Sequence, residues 1–144
     1  LAYDKFLKEA SITLNFSHEK SVEFNIKISK FNYLLENSDF ISLHVPAQKE
    51  FIIDKKQFEL MKDGVGIINA ARGGVLNEVE LISALDSGKV SFAGLDTFEN
   101  EPKPEIKLLM HPNISLTPHI GAATNEAQDR IGKELADQIS NILN

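Results

Sequence analysis

The sequence predicts an α/β fold built on a mainly parallel, doubly wound sheet. Short apolar runs of strand length recur along the chain, and segments of helical character with capping residues lie between them. Polar or charged residues close the runs. Strands alternating with helices require right-handed crossovers, which make neighbouring strands parallel.

The elements follow in order. LAYD opens as a short strand candidate ending at Asp4. SITLNF (11–16) and VEFNIKI (22–28) each read as a short strand, with the polar residues between them as a loop. FISLHV (40–45), VGIINA (65–70), SFAGLD (91–96) and NISLTP (113–118) do not alternate cleanly, as expected of strands buried on both faces. Helices are expected over Asp54 to Met61, Asn77 to Leu85 and Thr124 to Leu143. Asn77 and Thr124 can each accept from a first-turn N–H that lacks a partner within the helix, and Gly88 suits the end of the second helix. EPKPE (101–105) is a proline-rich loop.

Composition narrows the function. With 144 residues, 42% apolar and 25% charged, the chain has the balance of one soluble globular domain. The formal net charge of -6 gives no footprint for nucleic acid. The absence of cysteine excludes disulfides, thiolate nucleophiles and cysteine zinc sites, and accords with a cytoplasmic setting. No signal peptide is visible, and no run approaches the roughly 20 apolar residues of a membrane span. No metal site is expected.

In parallel α/β sheets ligands bind beyond the carboxyl ends of the strands. The candidates there are Asp4, His44 to Pro46, Arg72, Asp96 and His119. Arg72 reads as the last residue of a buried strand, where an unpaired guanidinium would be costly. It is either a surface arginine paired with a loop carboxylate or a clamp for a substrate carboxylate, and Gly73 and Gly74 favour the clamp by letting the strand turn sharply. His119 is either a structural histidine or a proton carrier. As a proton carrier it needs a carboxylate partner, with Glu101, Glu99 and Asp96 as candidates. Asp4 is either a surface residue or an acceptor for ribose hydroxyls.

Taken together, INAARGGVLNEVEL, GLDTFENEP and LTPHIGAATNEAQ resemble the signatures of the D-isomer-specific 2-hydroxyacid dehydrogenases, and LTPHIGAATNEAQ resembles the branch acting on 3-phosphoglycerate. The resemblance takes in LLENSDFISLHVP and runs from about residue 34 to the C-terminus, with a thinner match at LAYD. It implies a partial Rossmann-type sheet in a three-layer αβα arrangement, with NAD as cofactor and a small 2-hydroxy or 2-oxo acid as substrate. It also implies Arg72, Glu101 and His119 as the catalytic residues, choosing Glu101 over Glu99. By the same resemblance Asp4 binds the adenosine ribose and favours NAD over NADP, while His44, Val45 and Pro46 contact the cofactor, Val45 on the adenine side. Ala70, Ala71 and Arg72 lie along the nicotinamide, Asp96 bonds its carboxamide, and His119, Gly121 and Ala122 pass close to it. A homodimer of the full-length protein is implied as well.

Some residues depart from the family pattern. Leu76-Asn77-Glu78 replaces the usual Val-Asp-Glu, a mild change because Asn caps a helix about as well as Asp. Residues 5–33 match poorly and are somewhat long. The glycine-rich phosphate loop belongs about 20 residues before the ribose-binding acid, yet Asp4 is the fourth residue. Residues 1–144 are therefore expected to form the C-terminal part of a dinucleotide-binding domain, without its first strand, its glycine loop or the separate substrate domain. Loss of that central strand is expected to leave unpaired edges. Two other readings remain at this level: a non-catalytic NAD(H)-sensing or partner-binding module, and an inactive fragment of the dehydrogenase.

Overall fold

The structure is a computed structural model that describes residues 1–16 and 20–143. An antiparallel hairpin of β1 (Glu9–Phe16) and β2 (Lys20–Lys27) comes first. It is followed by α1 (Phe31–Asn37), β3 (Phe40–Leu43), α2 (Lys55–Leu60), β4 (Val65–Asn69), α3 (Glu78–Asp86), β5 (Val90–Leu95), α4 (Ile106–Leu109), β6 (Ile114–Leu116) and α5 (Asn125–Leu143). Strands β3 to β6 form one parallel sheet in the order β3-β4-β5-β6. This helix-flanked parallel sheet is the Rossmann-type α/β arrangement that the sequence predicts.

The strands alternate between two environments. Ile41, Leu43, Val65, Ile67, Ala93 and Leu95 are buried with Leu35, Phe58, Leu81, Leu85 and Leu108 from α1 to α4. Those helices form a row, each against the next. The other set of strand residues includes Phe40, Ile68 and Phe92, which are exposed by 69%, 40% and 39%. The rings of Phe40 and Phe92 meet at 5.9 Å. Gly66 makes room for them, since a Cβ there would sit 2.6 Å from the Phe92 ring. A third layer of a doubly wound sheet would lie over this face.

Asp54 and Gln57 form a capping box at α2 that the sequence reading did not name. The caps expected at the other two helices are present. Asn77 accepts from the Val79 and Glu80 N–H groups at α3, and Gly88 follows that helix at φ +77°. Thr124 Oγ1 accepts from Ala127 N–H in the first turn of α5.

Several expectations need correcting. The helices α1 and α4 were not foreseen. They have seven and four residues, and neither Lys30 nor Glu105 caps with its side chain. LAYD makes only an isolated bridge, Ala2 to Ile28, so Asp4 does not close a strand. The β1–β2 hairpin is a separate two-stranded sheet, and β3 stands at an edge of the four-stranded one. Of the loop expected between SITLNF and VEFNIKI, residues 17–19 lie outside the described residues, while Lys20 and Ser21 belong to β2.

Candidate active site

The site grows from three loops that leave the carboxyl ends of β4, β5 and β6. The first is turned by Asn69, a buried polar residue that ends β4. Its Oδ1 accepts from Ala71 N–H at 3.1 Å and its Nδ2 donates to Arg72 O at 3.0 Å. The chain thereby leaves the sheet before Arg72, which is exposed rather than the last residue of a buried strand. The desolvation penalty anticipated for this guanidinium therefore does not arise. Its Nη1 donates to Ala71 O at 2.6 Å, and among the described residues no carboxylate lies within ion-pair distance of it.

The two glycines that follow have different reasons. Gly74 has φ +75°, a left-handed conformation that favours glycine. Gly73 is a matter of space, because a Cβ there would lie 1.8 Å from Phe98 O. This close approach seats the Arg72 loop against the loop after β5.

Asp96 opens that second loop and holds the third. Its Oδ1 accepts from Thr117 Oγ1 at 2.6 Å and from Ile120 N–H at 2.9 Å, and its Oδ2 accepts from Gly121 N–H at 2.9 Å. Burial pushes the Asp96 carboxyl up, but the hydrogen bonds from Thr117, Ile120 and Gly121, aided by nearby His119, hold it below the usual carboxylate range. The bonds to Ile120 and Gly121 also fix the backbone just after His119, which has φ +53°. A side-chain-bearing residue held there stores strain of roughly 1–3 kcal/mol and persists where its surroundings over-determine it.

Glu101, rather than Glu99 or Asp96, faces the imidazole. Its Oε2 lies 2.8 Å from His119 Nδ1, and its Oε1 accepts from Phe98 N–H at 2.9 Å. The hydrogen bond with His119 and then that from Phe98 hold the Glu101 carboxyl low. With Glu101 ionised, Nδ1 carries the proton it donates, which leaves Nε2 as the ring atom able to exchange one. Beside the pair is a cavity of 360 Å³ bounded by Phe98, Pro102, Pro104, Leu109 and Leu116.

The remaining candidates are placed as follows. His44 is exposed, with Nε2 2.9 Å from Ser42 Oγ. Val45 packs against the core, and Pro46 O accepts from the Gln48 side chain. Ala70 is exposed, Ala71 is buried, and Ala122 O accepts from Gln128 Nε2. Asp4 is exposed, and its Oδ1 accepts from the Phe6 and Leu7 N–H groups, which lower its pKa. Among the described residues no hydrogen bond joins Asp4 or His44 to the Arg72, Glu101 and His119 loops.

Several residues that hold these loops were not singled out from sequence. Asn69 was visible only as one polar residue in an apolar run. Thr117 gave no signal apart from its place beside Pro118. Glu78 gave no signal either, and Glu99, a candidate partner for His119 in the sequence, meets Glu78 instead, Glu78 N–H donating to Glu99 Oε1 at 2.8 Å and Glu99 N–H to Glu78 Oε1 at 2.7 Å.

A nicotinamide fits this donor set. A carboxylate offers about four lone-pair positions, and Asp96 uses three of them, leaving one for an amide N–H. Residues 1–63 contain no glycine, so they offer no glycine turn for a diphosphate.

Comparison with known proteins agrees. Residues 4–121 match the NAD binding domain of the D-isomer specific 2-hydroxyacid dehydrogenases. The chain is 45% identical to a D-3-phosphoglycerate dehydrogenase of Archaeoglobus fulgidus, over 99% of this chain and 26% of that protein. It is 50% identical to a hydroxypyruvate reductase of Thermotoga maritima, over 74% of this chain and 36% of that one. A crystal structure of a glyoxylate reductase from Paecilomyes thermophila superposes with a TM-score of 0.69 at 44% identity, covering 74% of this chain and 33% of the other. The chain thus spans about a quarter of the length of the phosphoglycerate dehydrogenases it matches. Among the described residues no helix is long and apolar enough to cross a membrane. The match over residues 4–121, together with three loops converging at the strand ends, makes this chain a member of the D-isomer-specific 2-hydroxyacid dehydrogenase family, within its NAD-binding domain.

Proposed function

We propose that the chain forms the nicotinamide side of an NAD-dependent dehydrogenase that oxidises D-3-phosphoglycerate to 3-phosphohydroxypyruvate. The observation that carries this reading is the His119–Glu101 pair at 2.8 Å, on a loop system that also presents the acid-free guanidinium of Arg72. When bound, NAD supplies the hydride acceptor at nicotinamide C4. Arg72 holds the substrate carboxylate through parallel N–H···O bonds and polarises the oxygen at the 2-carbon. His119 takes the hydroxyl proton at Nε2, and Glu101 holds the ring through Nδ1 and stabilises the imidazolium that results. Asp96 orients the carboxamide, and Ala70, Ala71, Gly121 and Ala122 line the ring. Val45, His44, Pro46 and Asp4 serve the adenosine side.

Residues 1–144 act as the C-terminal part of a dinucleotide-binding domain, with the diphosphate loop and the substrate domain supplied by preceding chain. The lack of cysteine supports a reducing, cytoplasmic setting, and the family resemblance supports a homodimer. The phosphoglycerate relatives support the choice of substrate.

The test is NADH production by the full-length protein with D-3-phosphoglycerate, D-lactate and D-glycerate in parallel. The expected result is turnover strongest with the phosphorylated acid. Preference for another acid would reassign the substrate. No turnover with any of them, with NADH binding kept, would replace the enzyme with an NAD(H)-sensing module.

A further inference from the structure

Hydride transfer needs Arg72 and His119 at a fixed separation, yet they sit on loops from different strands. The loops after β5 and β6 are joined by Asp96 and by the Glu101–His119 bond. The Arg72 loop is joined to them by other means. One is the approach of Gly73 to Phe98 O. Another is the exchange between Glu78, the first residue of α3, and Glu99, two residues before Glu101.

This exchange is reciprocal. Each carboxylate accepts the backbone N–H of the other residue, so neither can shift without breaking both bonds. The Glu78 N–H belongs to the first turn of α3, which has no partner within the helix. Glu99 therefore completes the helix start while Glu78 fixes the backbone between Phe98 and Glu101. Glu78 is only 5% exposed, so its carboxylate has little water to turn to. Burial, and to a lesser degree the charges of Glu99, Glu101 and Glu105, push its carboxyl up against the lowering hydrogen bond from Glu99 N–H, which makes an acidic residue here a poor choice for stability alone.

We propose that Glu78 and Glu99 form a reciprocal brace that sets Arg72 against the Glu101–His119 pair, making both of them positioning residues for the dehydrogenase reaction. This rests on the function proposed above. Neither carboxylate touches substrate or cofactor in this scheme. They act through the loops, where a displacement of about 1 Å lowers a rate by as much as ~10²-fold.

The experiment compares Glu78→Ala, Glu99→Ala, the double variant and Glu78→Gln in the full-length protein. Steady-state kinetics, NADH titration, thermal melting and exchange of the Glu78 and Glu99 amide protons are measured on each. Each alanine variant is expected to lower kcat and raise KM for the hydroxy acid, with about a 10- to 100-fold loss in kcat/KM. NADH affinity should stay within about twofold of the parent. The double variant should lose no more than either single one, because both bonds serve one constraint. Glu78→Gln keeps the acceptor oxygen and should recover most of the loss. Unchanged kcat/KM in the alanine variants, or losses that follow the melting temperature and appear equally in Glu78→Gln, would overturn the brace. Should the parent turn over no 2-hydroxy acid, the functional reading fails by itself. The brace is then read from the amide protons, where faster exchange at Glu99 in Glu78→Ala supports it and unchanged exchange overturns it.

Discussion

Replacing Gly73 with alanine tests how the site is assembled. The added Cβ would lie 1.8 Å from Phe98 O, 2.5 Å from Phe98 C and 3.0 Å from Glu99 N. All three are backbone atoms, so no side chain can swing aside. Relieving the oxygen contact alone requires the two loops to part by more than about 1 Å, since carbon and oxygen do not pack closer than roughly 3 Å. Overpacking of this kind costs about 1–3 kcal/mol. A shift of that size between Arg72 and Glu101 should lower kcat/KM by up to ~10²-fold. The assay is urea unfolding with parallel kinetics, using Gly132→Ala as the control. Gly132 lies within α5 with open space around its would-be Cβ, so alanine there should stabilise by ~0.5–1 kcal/mol. If Gly73→Ala matched the parent in both stability and kcat/KM, the argument that this glycine seats the Arg72 loop would be wrong.

Three further outcomes are expected. His119→Ala should lower kcat by about 10²–10⁴-fold in keeping with loss of general acid–base catalysis, and Glu101→Gln should alter the pH profile of kcat/KM while leaving NADH binding in place. The Asp96 carboxyl is held below its unfolded value, so its contribution to stability is full above about pH 4 and fades as the pH falls through the lower folded pKa; Asp96→Asn should abolish that dependence in acid melts. Asn77→Ala removes a cap accepting from Val79 and Glu80 and should cost ~1 kcal/mol in unfolding, with NADH affinity unchanged.

Legibility varied with the kind of residue. The apolar runs at Phe40, Val65, Val90 and Ile114 could be read because a buried parallel strand needs them along its length. The runs overestimated the strands, since His44, Val45 and Ala70 to Arg72 lie beyond the last paired residues. Side-chain bonds such as those of Asn69 end a strand without any break in hydrophobicity. The helices α1 and α4 escaped notice because a helix of one or two turns carries little periodicity, and these two carry no side-chain cap.

By itself the sequence determined the α/β class, the main strands and capped helices, and the family to which Arg72, Glu101 and His119 bring their types and order. Those features follow from local chemistry: apolar strands must be buried, helix starts need acceptors, and a motif is a linear pattern. The motif chose Glu101 over Glu99 as the partner of His119, while tertiary structure alone decided that Glu99 turns to Glu78, that Asp96 anchors the third loop, and that Arg72 stands exposed. Without the motif, three acidic residues within six positions are interchangeable to a linear reading. Their separate partners are set only when loops from β4, β5 and β6 converge and each carboxylate meets a different donor.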